Sequence, residues 1–225
     1  MWPARRPPGG GRFESRVLSV RSAKDIYFAF CQIVFWAVCL VLFRYRVLRL
    51  ARVPRTGPVL LAVNHQSYVD PALAGSALHR PLHFMARRSL FVGLFGRLIR
   101  SVNAFPVDRD RADHQAVREA IGLLERGRCL LIFPEGTRTR DGRLAPMRPG
   151  FGMLARRTGA PIVPVYIDGA FRAWPRQRLL PRLRQIRVWF GEPIRVARDE
   201  DERSIMNRVG DALRALEREA DKSRR

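Results

Sequence analysis

Two apolar patterns divide the chain. From Ile26 to Phe43 there are 18 residues without a charge, broken only by Gln32. From Val53 onward short apolar runs alternate with segments whose apolar residues recur at helical spacing. The runs Val59–Val63, His83–Ala86, Ala104–Val107, Cys129–Phe133, Pro161–Ile167 and Arg187–Phe190 read as strands, most being rich in branched or aromatic residues and ending at polar or turn-forming ones. Helices are expected over Pro71–Leu78, Asp110–Arg126, Gly150–Thr158 and Glu202–Ala220. In the second, Val117, Ala120, Ile121 and Leu124 form one stripe and Gly127 ends it; in the last, Ile205, Val209, Leu213 and Leu216 share a face. This alternation predicts an α/β domain with a mixed, largely parallel sheet flanked by helices, preceded by an N-terminal apolar membrane helix.

As a helix the 26–43 run would be about 27 Å long, against roughly 30 Å of bilayer hydrocarbon. Three placements are open: a single span, a helix dipping into one leaflet, or a helix buried all round in a soluble domain. Arg16, Arg21 and Lys24 precede the run and Arg44, Arg46, Arg49 and Arg52 follow it, so charge does not set an orientation. A cleaved signal peptide is not expected, because no small-residue cleavage site follows the run. The expected organisation is a basic, Pro- and Gly-rich tail over 1–24, a membrane-associated helix over 25–52, and the α/β domain over 53–225.

The net charge of +22 and a sequence pI near 11.6 imply a polyanionic partner: nucleic acid, an anionic membrane or a phosphorylated substrate. The charge is dispersed and no nucleic-acid-binding motif accompanies it, so nucleic acid is not an expected partner. Cys31, Cys39 and Cys129 sit in apolar settings, which predicts core thiols in a reducing compartment rather than a disulfide framework.

Unusual residues collect at predicted strand ends. His65 follows the 59–63 strand, and Asp70-Pro71 opens the next helix, with Asp expected to accept from first-turn amides. If the loop folds back, Asp70 can hold one ring nitrogen of His65 and leave the other to act as a base. Asp108 and Arg109 end the third strand, Glu135 to Arg138 follow the next, and Asp168 the one after. In open α/β sheets such groups share a cleft if their strands run parallel. Phe133-Pro134-Glu135-Gly136-Thr137-Arg138-Thr139-Arg140 combines a carboxylate, hydroxyls, a permissive Gly and two guanidiniums, and Arg presents paired donors to phosphate. Arg109 and Arg148 are further phosphate candidates. His79 and His83 have metal-ligand spacing, but Pro81 breaks the helix that would join them. His114 reads as solvated, and no Cys/His cluster supports zinc, so neither metal nor cofactor is expected.

His65-x4-Asp70 followed by Phe-Pro-Glu-Gly-Thr-Arg resembles the glycerolipid acyltransferase family, which includes the 1-acylglycerol-3-phosphate acyltransferases. Asn64 to Asp70 is similar to the family's first block, Ala104 to Arg109 to its second, Phe133 to Thr139 to its third and Pro161 to Val165 to its fourth, so the likeness covers roughly residues 50–195. The resemblance implies a membrane-associated O-acyltransferase that moves a fatty acyl group from acyl-CoA or acyl-carrier protein to a lysophospholipid such as 1-acylglycerol-3-phosphate. The same chemistry on glycerol-3-phosphate, another lysophospholipid or a lyso-aminolipid is the alternative. It also implies His65 as general base oriented by Asp70, with Arg109 and Arg138 gripping the acceptor phosphate. Glu135, Gly136 and Thr137 would shape the acceptor site, Glu135 through a glycerol hydroxyl or an Arg. Asn64, Gln66 and Ser67 are expected to shape the loop. The sequence departs from the family at Arg88 to Gly96, which lacks a Pro, at Ala104-Phe105-Pro106, which replaces a smaller Gly-containing version, and at Arg148, which stands where a Lys is common. The implied location is the cytoplasmic face of a membrane, the inner membrane if bacterial.

Two segments fit an anionic membrane surface. Residues 172–184 mix Arg, Trp and Leu without an acid, and residues 87–100 interleave Phe91, Leu94, Phe95, Leu98 and Ile99 with Arg87, Arg88, Arg97 and Arg100.

Overall fold

A computed structural model describes residues 23–108 and 113–224. Seven strands form one sheet: β1 (Arg46–Leu48), β2 (Val59–Val63), β3 (Leu82–Arg87), β4 (Ala104–Val107), β5 (Cys129–Ile132), β6 (Ile162–Asp168) and β7 (Arg187–Phe190), in the spatial order β1-β7-β6-β2-β5-β3-β4. β2, β3, β4, β5 and β6 are mutually parallel. β7 runs antiparallel to β6, and β1 follows β7 in parallel. The sheet is therefore mixed, and its antiparallel part is confined to one margin. β2, β5 and β6 are buried on both faces, which is why they read as unbroken apolar runs rather than alternating ones.

Seven α-helices accompany the strands among the described residues: α1 (Ala23–Phe43), α2 (Asp70–Ala77), α3 (Gly93–Ser101), α4 (His114–Glu125), α5 (Phe151–Thr158), α6 (Ala170–Ala173) and α7 (Glu202–Lys222). One sheet face is covered by α1, α2 and the 170–186 region through Phe43, Leu73, Ala74, Ala173 and Ile186. The other is covered by α4, α5 and α7 through Ala120, Leu124, Leu154, Val209 and Leu213. The stripes of α4 and α7 thus face the core as their spacing requires.

Several expectations are corrected. The apolar N-terminal run is a helix, but among the described residues no helix is long and apolar enough to cross a membrane. Instead α1 packs one edge on α2: Gln32 Nε2 donates to the Gly75 and Leu78 carbonyls at 2.6 and 3.4 Å, and Cys39 and Phe43 are buried. It is not buried all round either, for Phe30, Ile33, Val34, Trp36 and Val41 remain exposed. The 1–24 tail lies outside the described residues except Ala23 and Lys24, which belong to α1.

The helix expected from Asp110 begins at His114, because Asp113 accepts from Ala116 N–H at 2.9 Å and sets the cap; Asp110 lies outside the described residues. β1 and α3 were not expected. β1 is a three-residue edge in a basic stretch, where one neighbour rather than a hydrophobic pattern defines the strand.

Candidate active site

Parallel order brings the carboxyl ends of β2 to β6 to one edge, and β2 sits between β5 and β6, which enter the chain much later. This is a position where an open α/β sheet leaves a crevice beyond its strand ends. His65, Glu135 and Asp168 are all delivered to this edge, whereas β1 and β7 end elsewhere.

The loop after β2 is held residue by residue. Asn64 continues the pairing with β6 through its side chain, donating to Ile167 C=O at 3.1 Å and accepting from Ile167 N–H at 2.7 Å. His65 Nδ1 lies 2.9 Å from Asp70 Oδ2. The same oxygen accepts from the Gln66 and Ser67 amides at 2.6 and 2.7 Å. Asp70 does not cap α2 as expected: Val69 is the cap residue, and Asp70 turns its carboxylate back into the loop. Asp70 is fully buried, and three donors on one oxygen fix both carboxylate and imidazole. Gln66 and Ser67 reach outward, Gln66 donating to Gly142 C=O and accepting from Phe171 N–H, and Ser67 Oγ donating to Trp174 C=O at 2.7 Å.

The loop after β5 closes on His65 from the other side. His65 N–H donates to Glu135 Oε1 at 2.8 Å, and His65 C=O accepts from Thr139 N–H at 2.8 Å. Glu135 Oε2 accepts from Ala145 N–H, also at 2.8 Å. Phe133 stacks on the imidazole with ring centroids 3.7 Å apart and planes 14° apart. Burial pushes the Glu135 carboxyl up to about 7 against the two amide hydrogen bonds that lower it, with the Asp70 and Glu217 charges adding to the rise. The structure gives Glu135 a main-chain amide on each carboxylate oxygen.

Arg138 lays its guanidinium over Tyr68 at 3.4 Å from the ring centroid. Its Nη1 is buried with no hydrogen-bond partner among the described residues. A donor in this state suits an anion. Gly136 has φ 68°, and a Cβ there would fall 2.7 Å from Arg148 Cδ, so glycine serves both the turn and the path of the Arg148 side chain. Arg148 is anchored by its own N–H to Pro134 C=O at 2.8 Å, while its side chain and Thr137 are exposed.

The structure thus joins His65, Asp70 and Glu135 directly, and links Arg138 through Tyr68 and Arg148 through Gly136. Arg109 lies outside the described residues. Asp168 is taken up structurally: Arg187 Nε and Nη2 donate to its Oδ2 at 3.0 and 2.7 Å.

Residues 44–168, more than half of the chain, match the sequence profile of the acyltransferase family. The chain belongs to the acyltransferase family. It is 32% identical over 157 residues to 1-acyl-sn-glycerol-3-phosphate acyltransferase from Cocos nucifera, a match covering 68% of this chain and 50% of that protein. The protein of the same name from Bacillus subtilis (strain 168) is 32% identical over 118 residues, covering 52% of this chain and 58% of its own. The chain accordingly spans between half and three-fifths of the length of these two relatives. The crystal structure of the 1-acyl-sn-glycerophosphate (LPA) acyltransferase PlsC from Thermotoga maritima shares the fold, with a TM-score of 0.75 at 23% identity over 89% of this chain and 82% of that one.

Within this acyltransferase fold two contacts escaped the sequence reading: Phe133 on the ring of His65, and Tyr68 beneath Arg138. Both aromatics lie within or beside the motif blocks, but their roles depend on two loops 65 residues or so apart meeting face to face. Spacing along the chain carries no signal for that.

Proposed function

We propose that this protein is a membrane-associated 1-acylglycerol-3-phosphate O-acyltransferase. It moves a fatty acyl group from acyl-CoA or acyl-carrier protein to the free hydroxyl of lysophosphatidate and yields phosphatidic acid. The single observation that carries the reading is the 2.9 Å contact between His65 Nδ1 and Asp70 Oδ2 beneath a loop that supplies guanidiniums. Asp70 selects the Nδ1–H tautomer, so Nε2 is the nitrogen that takes the acceptor's proton. The acceptor oxygen attacks the thioester carbonyl, the C–S bond breaks and expels the carrier as its thiolate, and the proton held by His65 passes to that thiolate. The thioester is already activated, so no enzyme nucleophile is needed.

Arg138, with its unpartnered buried donor, and Arg148 bind the acceptor phosphate; Arg109 is assigned to the same set by the resemblance of Ala104 to Arg109 to the family's second block. Gly136 and Thr137 shape the acceptor site, while Glu135 supports it from behind the His65 main chain. The membrane-associated helix is α1, and the catalytic domain takes in β1, which pairs with β7 in its sheet, together with residues 53–225.

The exposed outer face of α1 and the exposed Val92, Leu94, Phe95 and Leu98 of the α3 region support a location at a membrane surface, α1 dipping into one leaflet, and we place that surface on the cytoplasmic side. Tyr27 OH and Ser101 Oγ, 3.2 Å apart, join the two helices. Arg97 and Arg100 on α3 suit anionic headgroups.

Expression in a strain lacking its own lysophosphatidate acylation tests the function. Restored growth with accumulation of phosphatidic acid is the expected result. Lysophosphatidate that persists while another lysolipid disappears would contradict the assigned acceptor.

A further inference from the structure

Between α6 and β7 the chain forms a closed loop whose purpose the reaction does not explain. Arg182 N–H donates to Ala173 C=O at 2.7 Å and joins the two ends; inside, Arg178 N–H donates to Pro175 C=O and Trp174 Nε1 to Arg178 C=O, both at 3.1 Å. The loop is thus braced by its own hydrogen bonds. Yet Leu179 and Leu180 at its tip are 93% and 78% exposed, and Leu183 just beyond is 73% exposed. Three leucines so bare within five residues forgo the gain that burial of apolar surface brings, and a braced loop holds them out rather than letting them fold inward. Around them lie Arg172, Arg176, Arg178, Arg182 and Arg184, with no acid between Gly169 and Gly191.

The loop is attached at two places that matter. At its start Ser67 Oγ of the His65 loop donates to Trp174 C=O at 2.7 Å, and Gln66 accepts from Phe171 N–H at 3.1 Å. After its end Ile186 N–H donates to Phe43 C=O at 2.9 Å, at the last turn of α1. It therefore hangs between the catalytic loop and the carboxyl end of the exposed apolar helix.

We propose that the 173–182 loop docks on an anionic lipid surface, its leucine tip entering the leaflet and its guanidiniums meeting phosphates, and that it thereby fixes the depth of the His65 site. Leucine without the arginines would suit any apolar partner; arginine without the leucines would suit any polyanion. The two together, outside a helix and beside α1, suit the boundary between headgroup and acyl chain. Docking stands on the loop itself; its consequence for turnover rests on the acyltransferase reading above.

The test uses the full chain carrying Cys31→Ser and Leu180→Cys labelled with an environment-sensitive fluorophore. Cys39 and Cys129 are buried, their thiols pushed up to about 11 and about 12, and do not compete for label. With phosphatidylcholine vesicles containing about 30% phosphatidylglycerol, emission shifts to the blue and gains intensity, and the shift shrinks at high salt. An unchanged emission while the protein co-floats with the vesicles overturns the proposal. A dimer that Leu179→Glu/Leu180→Glu dissociates, with no lipid-dependent shift, overturns it in favour of a second copy as the occupant.

The same double variant is then assayed for acyl transfer. Activity on a bilayer-borne acceptor falls about tenfold or more, while activity on a short-chain, water-soluble acceptor stays within about twofold of wild type. Equal losses on both acceptors contradict the depth-setting role. A labelled protein that shifts on vesicles, beside a wild type that transfers no acyl group, defeats the enzymatic reading and leaves docking supported.

Discussion

Glu135 holds His65 by its main chain: the carboxylate accepts the His65 amide at 2.8 Å, while its second oxygen accepts the Ala145 amide at 2.8 Å. His65 is thereby fixed through its backbone as well as through its ring. The third motif block, read in sequence as an acceptor site, builds the seat of His65.

Glu135→Gln tests this seat. Glutamine offers one acceptor and turns an NH2 toward the other amide, setting donor against donor. An unsatisfied buried donor costs about 1–3 kcal/mol, and a displaced catalytic group about 10²-fold in rate. Turnover therefore falls strongly with little change in acceptor KM, as steady-state kinetics will measure; an unchanged kcat contradicts the clamp.

The same residue gives a pH dependence of stability. Its carboxyl titrates near 7 in the fold, pushed up by burial and by Asp70 and Glu217, above its ordinary value of 4.5. A raised folded value means the fold binds the proton more tightly than the unfolded chain, so this group's contribution is complete below 4.5 and is lost as pH rises through about 7. Glu135→Gln removes the titration. Denaturant unfolding at pH 5 and pH 8 should show the variant destabilised more, relative to wild type, at pH 5 than at pH 8.

Asp70→Asn separates orientation from shape. One oxygen of Asp70 receives the His65 ring and two amides. The amide variant keeps the volume but loses the charge that favours a protonated imidazole. Positioned acid–base catalysis contributes about 10²–10⁴-fold. A fall of kcat within that range, with the far-ultraviolet spectrum and acceptor KM near wild type, is the expected outcome.

Arg138→Lys keeps the charge and removes the planar fork stacked 3.4 Å over Tyr68. Lysine cannot offer paired donors in fixed geometry. Acceptor KM should rise about tenfold, the equivalent of roughly 1.4 kcal/mol, with a smaller change in kcat. Tyr68→Ala should move KM in the same direction. Parallel losses in kcat alone would place Arg138 away from the acceptor.

Arg187→Met addresses the fold rather than the chemistry. Arg187 is buried, pairs with Asp168, and donates to Ser223 and Ala220 carbonyls at the end of α7. Breaking such a pair leaves Asp168 buried with its main partner gone, at a cost of about 3–5 kcal/mol. Thermal unfolding should show the loss, while kcat of the surviving folded protein stays near wild type.

Much of this architecture was legible in the sequence because its strands are local and buried. Val59–Val63, Cys129–Ile132 and Ile162–Asp168 read as apolar runs since both sheet faces are covered there. β1 was not legible, because its definition is its pairing with β7. In the site, the contact of His65 with Asp70 followed from five residues of chain. The clamp by Glu135 and the ring of Phe133 did not, because they depend on β5 inserting beside β2. Asp70 was read as a helix cap by its position before Pro71; the Gln66 and Ser67 amides compete for the same oxygen and win. At the N-terminus, apolar length suggested a membrane helix, whereas Gln32 bonding to the end of α2 ties that helix to the domain.

In the proposed reaction His65 removes the proton from the acceptor hydroxyl. The direct measurement is acyl transfer from a thioester donor to lysophosphatidate by wild type and by His65→Ala, with folding of both checked by thermal unfolding. Wild type should form phosphatidic acid, and the variant should lose at least about 10²-fold in kcat. A folded His65→Ala protein with undiminished turnover would contradict it.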